Sequence, residues 1–126
     1  MPRPRSSYWP ILTTATTIAA SGTYQIELDL IDTFYPQILT CATYLASSDQ
    51  PLTCTIYPGF QVDTQGTVSF AANGNSIVDF ASYPPSSGLT VNVAFAIDPN
   101  VYPRYLNVVY TNPNSDGVQI KVYGDR

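Results

Sequence analysis

The chain has 126 residues, 44% of them hydrophobic, enough for one domain with its own core and too many for a disordered chain. Charged residues make up only 11%, against roughly 25% in average globular domains, so Ser, Thr, Asn, Gln and Tyr must cover the surface. The net charge is −4, and two of the five basic residues, Arg3 and Arg5, stand at the start; the acidic body that follows excludes a basic nucleic-acid-binding surface.

Residues 1–11 carry three prolines and two arginines and can form neither a helix nor a central strand, so an extended arm is expected over residues 1–22. Tyr8 and Trp9 could pin that arm to its own domain, but an adjacent subunit is the favoured anchor, with Arg3 and Arg5 pairing to acidic groups. Leu12–Ala20 alternates Thr with apolar residues and reads as a first strand or as part of the arm. It is too rich in Thr for the apolar core of a signal peptide. No segment is long and apolar enough to span a membrane. Tyr24–Leu30 is a clean alternating strand, with Tyr24, Ile26, Leu28 and Leu30 inward and Gln25, Glu27 and Asp29 outward.

After a break at Asp32–Pro36, strands are expected over Gln37–Ala46 and Leu52–Tyr57, with a turn from Ser47 to Pro51 and a stop at Pro58-Gly59. Phe60–Val62 reads as a short strand, Asp63-Thr64-Gln65-Gly66 as a turn, and Thr67–Ala71 as a strand. Asn73-Gly74 then signals a two-residue hairpin into Ser76–Phe80. Pro84–Gly88 is a loop. Leu89–Ile97 is the longest strand, with Leu89, Val91, Val93, Phe95 and Ile97 inward. A C-terminal antiparallel hairpin with one buried face closes the chain, Leu106, Val108 and Tyr110 on one strand and Val118, Ile120 and Val122 on the other. Eight or nine strands with turn signals every eight to twelve residues predict an all-β antiparallel sandwich over residues 23–126, jelly-roll-like or immunoglobulin-like.

The sequence points away from an enzyme. A nucleophilic triad needs a base, usually His, and the chain has none. Glu27 and Asp29 share one face of a strand, where two carboxylates could do glycosidase chemistry, but the solvent face of an amphipathic strand explains them. Asp63, Asp79, Asp98 and Asp116 sit in or beside loops without a calcium-loop spacing, and turn chemistry accounts for most of them. No cofactor, metal site or catalytic residue is expected. A two-residue turn at Ser47-Ser48 would set Cys41 opposite Cys54, which leaves a disulfide open beside the reading of both as small buried hydrophobes. Loop aromatics, chiefly Tyr35, Tyr57, Tyr83 and Tyr102, fit subunit contacts better than sugar stacking.

The string Arg104-Tyr105-Leu106-Asn107-Val108-Val109-Tyr110-Thr111-Asn112, with its polar turn and last alternating strand, resembles the ending of small β-sandwich structural proteins of tailed bacteriophages. Leu30-Ile31-Asp32-Thr33-Phe34-Tyr35-Pro36-Gln37-Ile38 is similar to the segment that opens their second strand. Asn107 stands where a second arginine is common, and the Gly-x-x-x-Ser-x-Asp-Gly loop of the middle strands is missing. The resemblance implies a virion protein assembled in the host cytoplasm. A capsid decoration or cement protein bound to the major capsid protein is the first expectation, with a homo-oligomer, a trimer by analogy. A neck or tail component or a carbohydrate-binding adhesion module is the alternative, and neither nucleic acid nor membrane is expected as a partner.

Overall fold

The computed structural model describes residues 11–30, 37–46, 51–77, 90–97 and 104–125. They form nine strands: β1 (Ile11–Ile18), β2 (Thr23–Asp29), β3 (Gln37–Tyr44), β4 (Thr53–Gln61), β5 (Val68–Phe70), β6 (Asn75–Ile77), β7 (Thr90–Ala96), β8 (Tyr105–Thr111) and β9 (Val118–Asp125). One sheet has the order β1-β9-β3-β7, the other β2-β8-β4-β5, with β6 also on β4. Every pairing is antiparallel. The chain changes sheets at every connection except those linking β4, β5 and β6. Partners nest as β1·β9, β2·β8, β3·β7 and β4·β5/β6, which is a ribbon folded over on itself. Of the two sandwich types expected, this is the jelly roll, not the immunoglobulin arrangement.

Alternation builds the core between the sheets. Ile18, Ile38, Ala42, Tyr44, Phe95, Val118, Ile120 and Val122 meet Leu28, Cys54, Ile56, Leu106, Val108 and Tyr110 of the opposite layer. Of the inward residues expected on β2 and β7, Leu28, Phe95 and Ile97 are buried, while Tyr24, Ile26, Leu30, Val91 and Val93 pack half-buried against them; Leu89 lies outside the described residues. Of the two readings of Leu12–Ala20, the strand is realised: β1 pairs with β9 and delivers Ile18 to the core.

Four expectations are corrected. The C-terminal strands are not a hairpin, because β8 and β9 lie in different sheets and their apolar faces oppose each other across the core. β3 and β4 also lie in different sheets, so no turn sets Cys41 beside Cys54. Cys41 pairs with Asn92 and Lys121, Cys54 with Tyr110 and Ile77, and both thiols are free. Pro58-Gly59 does not end β4, which runs on to Gln61. Finally, Asn73-Gly74 is not a hairpin. β5 and β6 both run antiparallel to β4, with Gly59↔Phe70 and Ile56↔Asn75 in register, so residues 71–74 bulge out opposite Tyr57 and Pro58. The bulge falls where Pro58 has no N–H to offer, while its carbonyl still accepts from Ala71 N at 2.8 Å. Gly74 passes so close to β4 that a Cβ there would lie 2.6 Å from the Ile56 carbonyl oxygen.

Two sets of polar contacts tie the layers together. The Tyr110 and Thr40 hydroxyls, 2.6 Å apart and buried, join β8 to β3 across the core. Fully buried Asn112 sits where the 112–117 connection leaves β8. Its Nδ2 donates to the carbonyls of Ile18, Ala19 and Asp116 at 3.1, 3.2 and 2.8 Å, and its Oδ1 accepts from the N–H and the Nδ2 of Asn114. The Asn112 and Ser21 backbone N–H groups complete the clasp by donating to Gly22 O and Asn114 O. Asn112→Ala orphans several of these groups at once and is expected to cost about 3 kcal/mol in denaturant unfolding. Tyr110→Phe strands the Thr40 hydroxyl and should cost about 1–2 kcal/mol. Adding Thr40→Val should return part of that loss in a double-mutant cycle, which a merely additive result would contradict.

Candidate functional site on the outer sheet faces

Alternation that fills the core also sets three aligned rows on the outer face of the β2-β8-β4 sheet. They are Gln25–Val109–Thr55, Glu27–Asn107–Tyr57 and Asp29–Tyr105–Gly59. Gly59 leaves a gap in the third row, and the Phe70 ring lies over it; a Cβ on Gly59 would come within 2.6 Å of that ring and 2.9 Å of Tyr105 Cβ. Beside the two aromatic rings runs a shallow groove of about 240 Å³ lined by Glu27, Leu28, Asp29, Val68, Phe70 and Tyr105. Arg104 braces one wall. Its Nε and Nη2 donate to the two Asp29 carboxylate oxygens at 2.8 and 3.0 Å, and its guanidinium lies 4.7 Å from the centre of the Tyr105 ring. The two side chains are 40% and 46% exposed, so the pair orients side chains more than it stabilises the fold.

Asn107 holds the centre of this face. Its Nδ2 donates to Gln25 Oε1 at 3.2 Å, while its buried Oδ1 has no donor among the described residues, an arrangement that costs stability unless something else supplies a hydrogen bond.

The opposite outer face is polar and nearly uncharged. A depression of about 310 Å³ is lined by Cys41, Thr43, Thr90, Asn92, Gln119, Lys121 and Tyr123. Thr43 and Thr90 share a hydroxyl hydrogen bond of 2.9 Å, and Lys121 is the one charged group in the lining among the described residues. Burial pushes the Cys41 thiol above its ordinary range, and the neighbouring Lys121 charge partly opposes this. Inside the core, burial alone pushes Cys54 up to about 12.

Of the aromatics singled out from the sequence, Tyr57 is found in the middle row of the first face, within a strand and not at a loop. Tyr35, Tyr83 and Tyr102 lie outside the described residues, as do Arg3, Arg5, Tyr8 and Trp9 of the expected arm. Asp79 and Asp98 are outside them as well. Glu27 and Asp29 share a face as expected, and Arg104 claims Asp29. Asp63 does turn chemistry: its Oδ1 accepts from the N–H groups of Gln65 and Thr67 at 2.9 and 3.0 Å, and the Thr67 backbone bond leads in holding its carboxyl below the usual range. Among the described residues no three His, Cys, Asp or Glu side chains gather as metal ligands would, and no helix is long and apolar enough to cross a membrane. Phe70 and the Thr43, Thr90, Asn92 and Gln119 lining of the polar depression had no sequence signal, because strand register brings them together.

No protein-family model and no curated protein sequence matches the chain.

The two thiols should react very differently. In the folded protein, alkylation by iodoacetamide at pH 8 is expected to label Cys41 and spare Cys54 until denaturant is added, as read by mass spectrometry. Lys121→Gln removes the charge that favours the Cys41 thiolate, so labelling of Cys41 should slow a few-fold; faster labelling would contradict the assigned role of Lys121.

Proposed function

We propose that this chain is a non-enzymatic structural protein of a tailed-phage virion, a decoration or cement protein that holds to the assembled head through its sheet faces and its N-terminal arm. The observation that carries this reading is the polar depression of Thr43, Thr90, Asn92, Gln119 and Tyr123, with Lys121 as its lone charge among the described residues. Such a face loses little when it is desolvated against a neighbour, since few ions must be stripped of water. The topology is in keeping with it, as jelly rolls recur in viral capsid and lectin domains, although a fold alone does not fix a function. The resemblance of residues 104–112 to phage β-sandwich endings points the same way.

A second reading, a carbohydrate-binding adhesion module, is favoured by the groove on the other face. Tyr105 and Phe70 offer ring surfaces for a sugar to stack on, and Glu27 and Asp29 offer acceptors for its hydroxyls. Co-sedimentation with phage heads assembled without the protein separates the two. The decoration reading predicts that the full chain binds heads. Deleting residues 2–10, or introducing Thr43→Asp with Gln119→Glu, should cut occupancy at least ten-fold while the body stays folded by circular dichroism. Equal occupancy for both variants, or no binding by the full chain, overturns it. Glycan-array binding lost in Tyr105→Ala and Phe70→Ala would establish the second reading in its place.

A further inference from the structure

A β-sandwich has four sheet edges, and three of these are guarded. β1 pairs with β9 in a register broken between Ile11 and Thr13 and again between Thr13 and Thr16. β2 carries Glu27 and Asp29. The β5/β6 edge consists of two three-residue pieces separated by the 71–74 bulge. These are the devices by which sheet edges avoid pairing with other chains: irregular ladders, charge and short length. β7 has none of them. Its seven residues, Thr-Val-Asn-Val-Ala-Phe-Ala, contain no charge and no proline, and all seven stand in unbroken register with β3. Among the described residues β3 is its one strand partner.

We propose that the outer edge of β7 pairs with the same edge of a second copy of this chain, antiparallel about a two-fold axis at Val93. Two four-stranded sheets then become one sheet of eight. The sequence of β7 is self-complementary in that register. Val93 meets Val93, Val91 meets Phe95, Asn92 meets Ala94 and Thr90 meets Ala96. Apolar residues face apolar residues on the core side, and no like charges meet. Val91 and Val93 lean on the core yet remain half-buried, and a second copy would cover what the edge leaves open. An antiparallel edge contact uses the same patch on both subunits and therefore closes as a dimer. It is a separate contact from the trimer expected by analogy, and it holds whether the virion or the glycan reading is right. A strand of seven residues spans about 23 Å, so the contact is small and the dimer should depend on concentration.

The test is sedimentation equilibrium of the full chain from about 1 to 500 µM, the range in which so small a contact should respond. Wild type is expected to shift from monomer to dimer. Asn92 and Ala94 are exposed, so Asn92→Lys with Ala94→Lys should leave the melting curve unchanged. That pair places lysines opposite lysines in the dimer and should abolish association, as should Asn92→Glu with Ala94→Glu. An equimolar mixture of the two double variants should recover a heterodimer, since Asn92 and Ala94 of one copy face Ala94 and Asn92 of the other. Wild type that stays monomeric throughout, because a partner strand from its own chain or none at all occupies the edge, overturns the proposal. So does a lysine variant that associates like wild type, a trimer indifferent to both substitutions, or a mixture that stays monomeric.

Discussion

The fold depends on a single clasp. A jelly roll asks its chain to cross repeatedly between two sheets, and each crossing exposes carbonyls and N–H groups that no ladder satisfies. Asn112 gathers the β1–β2 and β8–β9 crossings at one end of the sandwich. One fully buried side chain satisfies carbonyls of Ile18 and Ala19 on one crossing and Asp116 on the other, and accepts two bonds from Asn114. Since β1 pairs with β9 and β2 with β8, fixing these two crossings relative to each other fixes the phase of both sheets. The Thr40–Tyr110 hydroxyl pair does related work in the middle of the core, where a mismatch of the layers would leave both oxygens without partners.

What was legible in the sequence was everything governed by a period of two. The alternation in Tyr24–Leu30 and Val91–Ile97 named inward side chains correctly, and the turn at Asp63–Gly66 announced itself through residues whose side chains cap their own backbone. Pairing was not legible, because alternation says which way a side chain points and not which strand lies beside it. Thus 105–111 and 118–125 look like a hairpin, although an antiparallel hairpin and two strands facing each other across a core demand the same pattern of apolar residues. Asn73-Gly74 misled for a different reason. It is the chemistry of a tight turn, but a bulge beside a proline also needs a glycine that can approach its neighbour's backbone.

Asn112 shows the same limit on the polar side. An asparagine between Thr111 and Pro113 reads as a solvent-facing turn residue, yet it is among the most buried side chains of the domain. The outer faces were equally hidden. Phe70 reaches Tyr105 only because Gly59 stands between them without a side chain, and Asn107 becomes the centre of its face because β2 and β4 flank β8. Tyr57, expected at a loop, belongs to that face because β4 continues through Pro58 and Gly59.

The two faces and the β7 edge therefore follow from one economy in the composition. With charge confined to 11% of residues, solubility rests on hydroxyls and amides, and two of the nine carboxylates, Glu27 and Asp29, also guard the β2 edge. β7, at the far edge of the other sheet, is left with Thr90, Asn92 and two alanines on its exposed side, and Thr90 and Asn92 also line the polar depression. The unguarded edge and the nearly uncharged face are therefore continuous. A partner strand added to β7 would extend that face sideways, so that self-association and binding to a larger surface would draw on the same sheet without competing for the same atoms. The acid and aromatic residues of the opposite face, with Arg104 bracing Asp29 and Tyr105, would stay outward in such an assembly.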